Sequence, residues 1–263
     1  MPRFAANLSM MFNEVAFLDR FGAAARAGFD AVEFLFPYEH PPEAVAEKLG
    51  AHGLTQALFN LPPGDFAAGE RGIACLPDRA GELRAGVETA LVYARATVVK
   101  RLHMMAGLGS RQNAAAVAAY RDAVSFAADR LAEAGIDLVL EPINGRDMPG
   151  YFLDDFNWTA DLIAELARPN LKLQFDIYHR QIMRGDVATA MADLMPIIGH
   201  VQVASVPRRH EPMTGELNDV FLFSELDRLG YAGFVGCEYR PAGATTDGLG
   251  WFDGARPAGG RAA

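Results

Sequence analysis

The sequence predicts an α/β fold, a single (β/α)8 barrel, on three observations. Eight short β-like runs alternate with helix-sized stretches along the whole chain. Several of those runs are apolar almost without a break, as strands covered on both faces are. The length, 263 residues, is close to the roughly 250 that one such barrel takes.

The runs, in order, are Phe4–Ser9, Ala31–Phe36, Thr55–Asn60, Val98–Met104, Asp137–Pro142, Leu171–Ile177, His200–Ala204 and Phe234–Tyr239. The clearest helix between them spans Asn113–Ala134, where Val117, Tyr120, Val124, Ala127 and Leu131 recur at helical spacing and Gly135 supplies the stop. The segment from Pro62-Pro63-Gly64-Asp65-Phe66 to Pro77 is a long loop after the third run, and loops of that length are often functional. No linker composition divides the chain, so residues 1–253 are expected to form the barrel domain. The Gly/Pro/Ala-rich stretch 254–263 is expected to be a short flexible tail.

Composition narrows the function. With 51% hydrophobic and 22% charged residues, the chain is not a disordered one. Its apolar runs fall short of the roughly 20 residues a membrane span needs. Met1-Pro2-Arg3-Phe4 leads straight into strand-like sequence, without the pattern of a signal peptide. Two cysteines, Cys75 and Cys237, make neither a disulfide framework nor a cysteine zinc site. A reduced, cytoplasmic enzyme is the expectation. The balance of 24 basic against 33 acidic residues, −9 net, argues against a phosphate-backbone binder.

In a parallel barrel the active site forms at the C-terminal strand ends. The fifth run ends in Glu141-Pro142, the sixth in Asp176-Ile177-Tyr178-His179, and the eighth in Glu238-Tyr239, while the seventh carries Gln202. Buried carboxylates need partners. Four oxygen donors from consecutive strands suit one divalent cation, Mg²⁺ or Mn²⁺, with positions left open for substrate oxygens. His179, just past a strand end, reads as a contact to a substrate oxygen in preference to a metal ligand. His103 ends the fourth run and lines either the mouth or the core; His200, at the start of its run, reads as a plain core residue or as one that supports the site residues from behind. Arg208-Arg209 would hold an anionic substrate, or form a solvated loop paired with Glu211. Gly69-Glu70-Arg71-Gly72 lacks the lysine and the glycine spacing of a phosphate cradle. Met10-Met11 and Met104-Met105 read as core or pocket lining, and Cys237 as a buried small apolar residue.

Longer strings then carry a resemblance. Asn7-Leu8-Ser9-Met10, Val32-Glu33-Phe34, Phe36-Pro37-Tyr38, Asn60 through Pro63-Gly64-Asp65, Ala68 to Gly72, Glu141-Pro142-Ile143-Asn144, Asp176 to His179 and Gly236-Cys237-Glu238-Tyr239 recur in the order seen in hydroxypyruvate isomerases. The chain resembles that family to about Phe252. These enzymes are xylose isomerase-like barrels, with sugar 3-epimerases and endonuclease IV as distant relatives. The resemblance implies metal ligands at Glu141, Asp176, Gln202 and Glu238, an acid/base pair in Glu141 and Glu238, and His179 and Arg209 beside the substrate; Asn7 and His103 are also expected to contact it. It implies interconversion of hydroxypyruvate and tartronate semialdehyde through an enediolate.

A sister group, the 2-oxo-tetronate isomerases, fits other strings: Phe34-Leu35-Phe36, His103-Met104-Met105-Ala106-Gly107, His210-Glu211-Pro212 and Gly248 to Phe252. Ser205-Val206 stands where hydroxypyruvate isomerases are expected to have Asp-Asn. The expected partner is a small anionic sugar acid, with neither nucleic acid nor membrane, and a homo-oligomer is compatible. A sugar epimerase, an endonuclease IV-like enzyme and a metal-free sugar-acid binding protein are the rival classes. The endonuclease would need several more histidine ligands than six histidines readily provide.

Overall fold

A computed structural model describes residues 2–254. The expected tail therefore lies outside the described residues, except for Gly254, which ends the last helix. Eight parallel strands close into a barrel in chain order. They are β1 (Arg3–Asn7), β2 (Ala31–Glu33), β3 (Thr55–Asn60), β4 (Arg101–His103), β5 (Asp137–Leu140), β6 (Leu171–Asp176), β7 (Ile198–Val203) and β8 (Phe234–Cys237). Around them run α1 (Phe17–Arg26), α2 (Pro42–Ala51), α3 (Ala80–Thr97), α4 (Ala114–Ala132), α5 (Phe156–Leu166), α6 (Ile177–Met183), α7 (Val187–Leu194), α8 (Asp219–Arg228) and α9 (Gly250–Gly254).

All eight expected strands are present, the third with the expected ends and the other seven with altered ones. Val98, read as the start of the fourth, instead takes a left-handed backbone (φ 57°) as the cap of α3, and the strand begins at Arg101. The second is three residues shorter than expected, because the β2–β3 register shifts at Val32/Glu33. The helix expected at 113–134 is α4. The Asn113 side chain accepts from the backbone N–H groups of Ala115 and Ala116, and Gly135 turns the chain away at φ 65°.

Strand alternation sorts the side chains into two compartments. Leu138, Leu140, Leu171, Leu173, Phe175, Val201, Val203, Val235 and Cys237 join the large apolar cluster shared with the helices. The residues between them are Asp137, Val139, Lys172, Gln174, Asp176, His200, Gln202 and Gly236. The barrel axis is therefore largely polar, with Ala5, Ala31 and Ala57 forming a separate small cluster against Phe234. Among the described residues, no helix is long and apolar enough to cross a membrane.

Candidate active site

Three acids meet at the C-terminal mouth. Glu141 follows β5 directly, Glu238 follows β8, and Asp176 ends β6. Asp176 also caps α6, accepting from the Tyr178 N–H at 2.7 Å. Ligand-capable atoms of Glu141, Asp176, Glu238 and His179 all lie within 4.8 Å of one another, and all four residues are buried. Glu141 Oε1 and Asp176 Oδ2 have no hydrogen-bond partner despite burial. Two orphaned carboxylate oxygens in so small a space are what a bound cation would satisfy. The cluster can hold a metal ion.

Burial dominates the titration of this group. It pushes Glu141 well above the usual carboxylate range, and the neighbouring Glu238 and Asp176 charges push the same way. Burial raises Glu238 to about 7 and Asp176 to about 6, in both cases against the pull of Arg209. Arg209 stays charged because Glu238, Asp176 and Glu141 outweigh its own loss of solvent.

Arg209 is more deeply engaged than a loop cation. Its guanidinium pairs with Glu238, lies 3.8 Å from Asp176 Oδ2 and 3.7 Å from Asp147 Oδ2, and covers the Tyr178 ring at 4.9 Å. The loop after β7 aims it there. Arg209 takes a left-handed backbone (φ 57°), donates its N–H to Ser205 O and accepts from the Arg240 N–H. Glu211 is not its partner; it is buried and accepts from the Ala242 N–H at 3.0 Å. Arg208 is exposed.

His179 is neutral. Burial and the charge of Arg209 push it well below its ordinary value. The Asn144 backbone N–H donates to Nδ1 at 3.3 Å, and the Asn144 side-chain amide lies 2.7 Å from the same atom. Nδ1 is thus the acceptor and Nε2 carries the hydrogen. Nε2 faces Asp176 Oδ2 at 3.6 Å and Glu141 Oε1 at 3.8 Å, offering a donor to the site. His103 Nε2 lies 3.8 Å from Glu141 Oε2 without a hydrogen bond, and burial lowers its imidazole to about 3.

Gln202 and Asn7 sit deeper, in a layer sequence reasoning had not resolved. Glu33, at the end of β2, is fully buried. Its Oε1 accepts from Gln202 Nε2 at 2.7 Å and from Asn7 Nδ2 at 2.9 Å, while His200 Nε2 meets Oε2 at 2.6 Å. Gln202 Oε1 accepts from Gln174 Nε2 at 2.6 Å. Asn7 is therefore committed to Glu33, and of the two readings of His200 the structure bears out the supporting one, since it is buried against Glu33. The available signal was a glutamate inside an otherwise apolar run. Asn144, which sets the His179 tautomer, was also missed.

The long loop after β3 folds over its own residues. Arg71 stacks on Phe66 at 4.2 Å, Glu70 pairs with Arg79, and Gly72 bridges to Ala106. A Cβ at Gly72 would lie 2.2 Å from Met105 O, so no larger residue fits that approach. Met11, Met104, Met105 and Cys237 are buried, as expected of core residues.

Comparison with known proteins agrees with this architecture. A sequence model of the family described as Xylose isomerase-like TIM barrel matches residues 21–255. The chain is 54% identical to a 2-oxo-tetronate isomerase of Cupriavidus necator, over 96% of this chain and 98% of that one. It is 44% identical to a hydroxypyruvate isomerase of Escherichia coli, over 96% and 99%. A crystal structure of an AP endonuclease, family 2, from Brucella melitensis superposes with a TM-score of 0.95 at 50% identity, covering 98% of this chain and 100% of that one. The chain belongs to the xylose isomerase-like TIM-barrel family and is an enzyme of the isomerase class.

Proposed function

We propose that the chain is a divalent-cation-dependent isomerase of short 2-oxo sugar acids, with 2-oxo-tetronate as its substrate. The observation that carries the chemistry is the buried group of Glu141, Asp176 and Glu238 with two unsatisfied oxygens, set against Arg209. Glu141, Asp176, Glu238 and the amide oxygen of Gln202 would hold Mg²⁺ or Mn²⁺. A cation there supplies Lewis-acid stabilisation of charge developing on substrate oxygens.

The hard step is removal of a proton from the carbon beside a carbonyl. Glu238, reaching the mouth from the end of β8, would take and return that proton. Glu141, arriving from β5, serves the neighbouring carbon. His179 donates through Nε2 to a substrate oxygen. Arg209 attracts the substrate carboxylate, exchanging part of its pairing with Glu238 for that contact.

The substrate choice is supported by the 54% relative and by Ser205-Val206 in the loop that carries Arg209. Hydroxypyruvate is the second reading, supported by the 44% relative and by Glu141-Pro142-Ile143-Asn144. Side-by-side kinetics on 2-oxo-tetronate, hydroxypyruvate and a neutral ketohexose test the proposal. The highest kcat/KM is expected for 2-oxo-tetronate, with the ketohexose rejected. In D₂O, deuterium should enter the product; full retention of substrate hydrogen in a single turnover would favour a hydride shift. The Brucella relative's name raises DNA cleavage as another reading. A net charge of −9 and a single histidine in the metal-capable group weigh against it. An abasic-site duplex should remain uncut. The proposal carries with it a small-molecule partner and a cytoplasmic location.

A further inference from the structure

We infer that Glu33 is a positioning residue that fixes which end of the Gln202 amide is offered to the metal site. The inference rests on the proposed role of Gln202 as an oxygen donor. Gln202 can present either its oxygen or its NH₂ group by a half-turn of the amide, and only the oxygen can bind a cation. Glu33 Oε1 lies 2.7 Å from one end of that amide, and a carboxylate oxygen there requires the NH₂. The opposite end, Oε1, is thereby turned toward Gln174 Nε2, 2.6 Å away. Asp176 and Gln202 are register partners across β6 and β7, so the two residues stand side by side on the ladder, and Oε1 would share or exchange its Gln174 contact on binding a cation.

The position of Glu33 is itself held from three sides. Asn7 Nδ2 shares Oε1 at 2.9 Å, and His200 Nε2 takes Oε2 at 2.6 Å. On the fourth side β8 gives way: a Cβ on Gly236 would lie 2.2 Å from Glu33 Oε2, so the strand has room for this carboxylate only because position 236 is glycine. Partners that orient metal ligands typically matter by 10–100-fold in metal affinity.

The test is a double-mutant cycle read by calorimetric titration of the metal-free protein with Mn²⁺, with apo-protein melting followed by circular dichroism. Glu33→Gln and Gln202→Ala should each weaken Mn²⁺ binding by roughly 10–100-fold. The double variant should bind no more weakly than Gln202→Ala alone, because Glu33 acts through Gln202. Wild-type affinity in Glu33→Gln, or losses that add in the double variant, overturns the inference while leaving the metal site standing. A wild-type chain that binds no Mn²⁺ overturns the functional reading and this one with it. Should Glu33→Gln not fold, Glu33→Asp keeps the charge facing His200 with a shorter reach, and is read by the same criteria.

Discussion

Glu141 and Glu238 stand one residue beyond the ends of β5 and β8, and strand-end position marks both as site candidates in the sequence, while their pairing as acid and base is what the resemblance implies. Each replaced by glutamine should lower kcat by about 10²–10⁴-fold, the usual worth of a positioned acid or base. Substantial turnover in either variant, measured on 2-oxo-tetronate, would sink the assigned pair. Asn144→Ala tests the neighbouring histidine: with no amide near Nδ1 beyond its own backbone N–H, His179 loses its fixed orientation. KM should rise and kcat fall together in steady-state assays, without loss of Mn²⁺ affinity. Glu33 stayed hidden for a specific reason. The second strand read three residues too long, so its acid lay mid-strand in the sequence when in fact it ends β2. Spacing leaves Arg209 open between an anionic substrate and a loop partner, the resemblance alone puts it beside the substrate, and its pairing with Glu238 is invisible in the sequence because the two positions are 29 residues apart.

Elements with strong local signals were the ones the sequence resolved best. Asn113 and Gly135 bracket α4 by side-chain capping and a left-handed turn, both local chemistry. The end of α3 was not resolved, because Val98 takes a backbone that β-branched residues rarely adopt. At α5 the cap is Asp155, which accepts from the Asn157 and Trp158 N–H groups and pairs with Arg184. Burial works to raise this carboxyl, but those N–H groups and Arg184 hold it below the usual value. A carboxyl depressed in the folded chain stabilises above its unfolded value, near pH 4, and that contribution fades as pH falls through the lower folded value. Asp155→Ala should therefore cost about 1 kcal/mol at pH 7. In urea unfolding the gap between variant and wild type should narrow below pH 4; a constant gap across pH would show that the cap is not acting as a charge.

Taken whole, the molecule should respond to its cation as one cooperative unit. Mn²⁺ at a hundred times its dissociation constant should add about 2.7 kcal/mol to stability. For a domain of this size that corresponds to a rise in Tm of roughly 5–10 °C, reversed by a chelator. An unchanged Tm would contradict a resident divalent ion. Barrel closure was legible because eight apolar runs in one chain of this length leave little else to build. The polar axis was only partly so, since it needs strand phase as well as strand count. That axis has a consequence for substitution. The barrel's cohesion and its chemistry occupy alternate letters of the same strands, Leu171, Leu173 and Phe175 holding the wall while Lys172, Gln174 and Asp176 face inward. Changes confined to the inward letters leave the packed wall as it is, provided that each keeps company with its neighbours across the axis, as Gly236 does with Glu33.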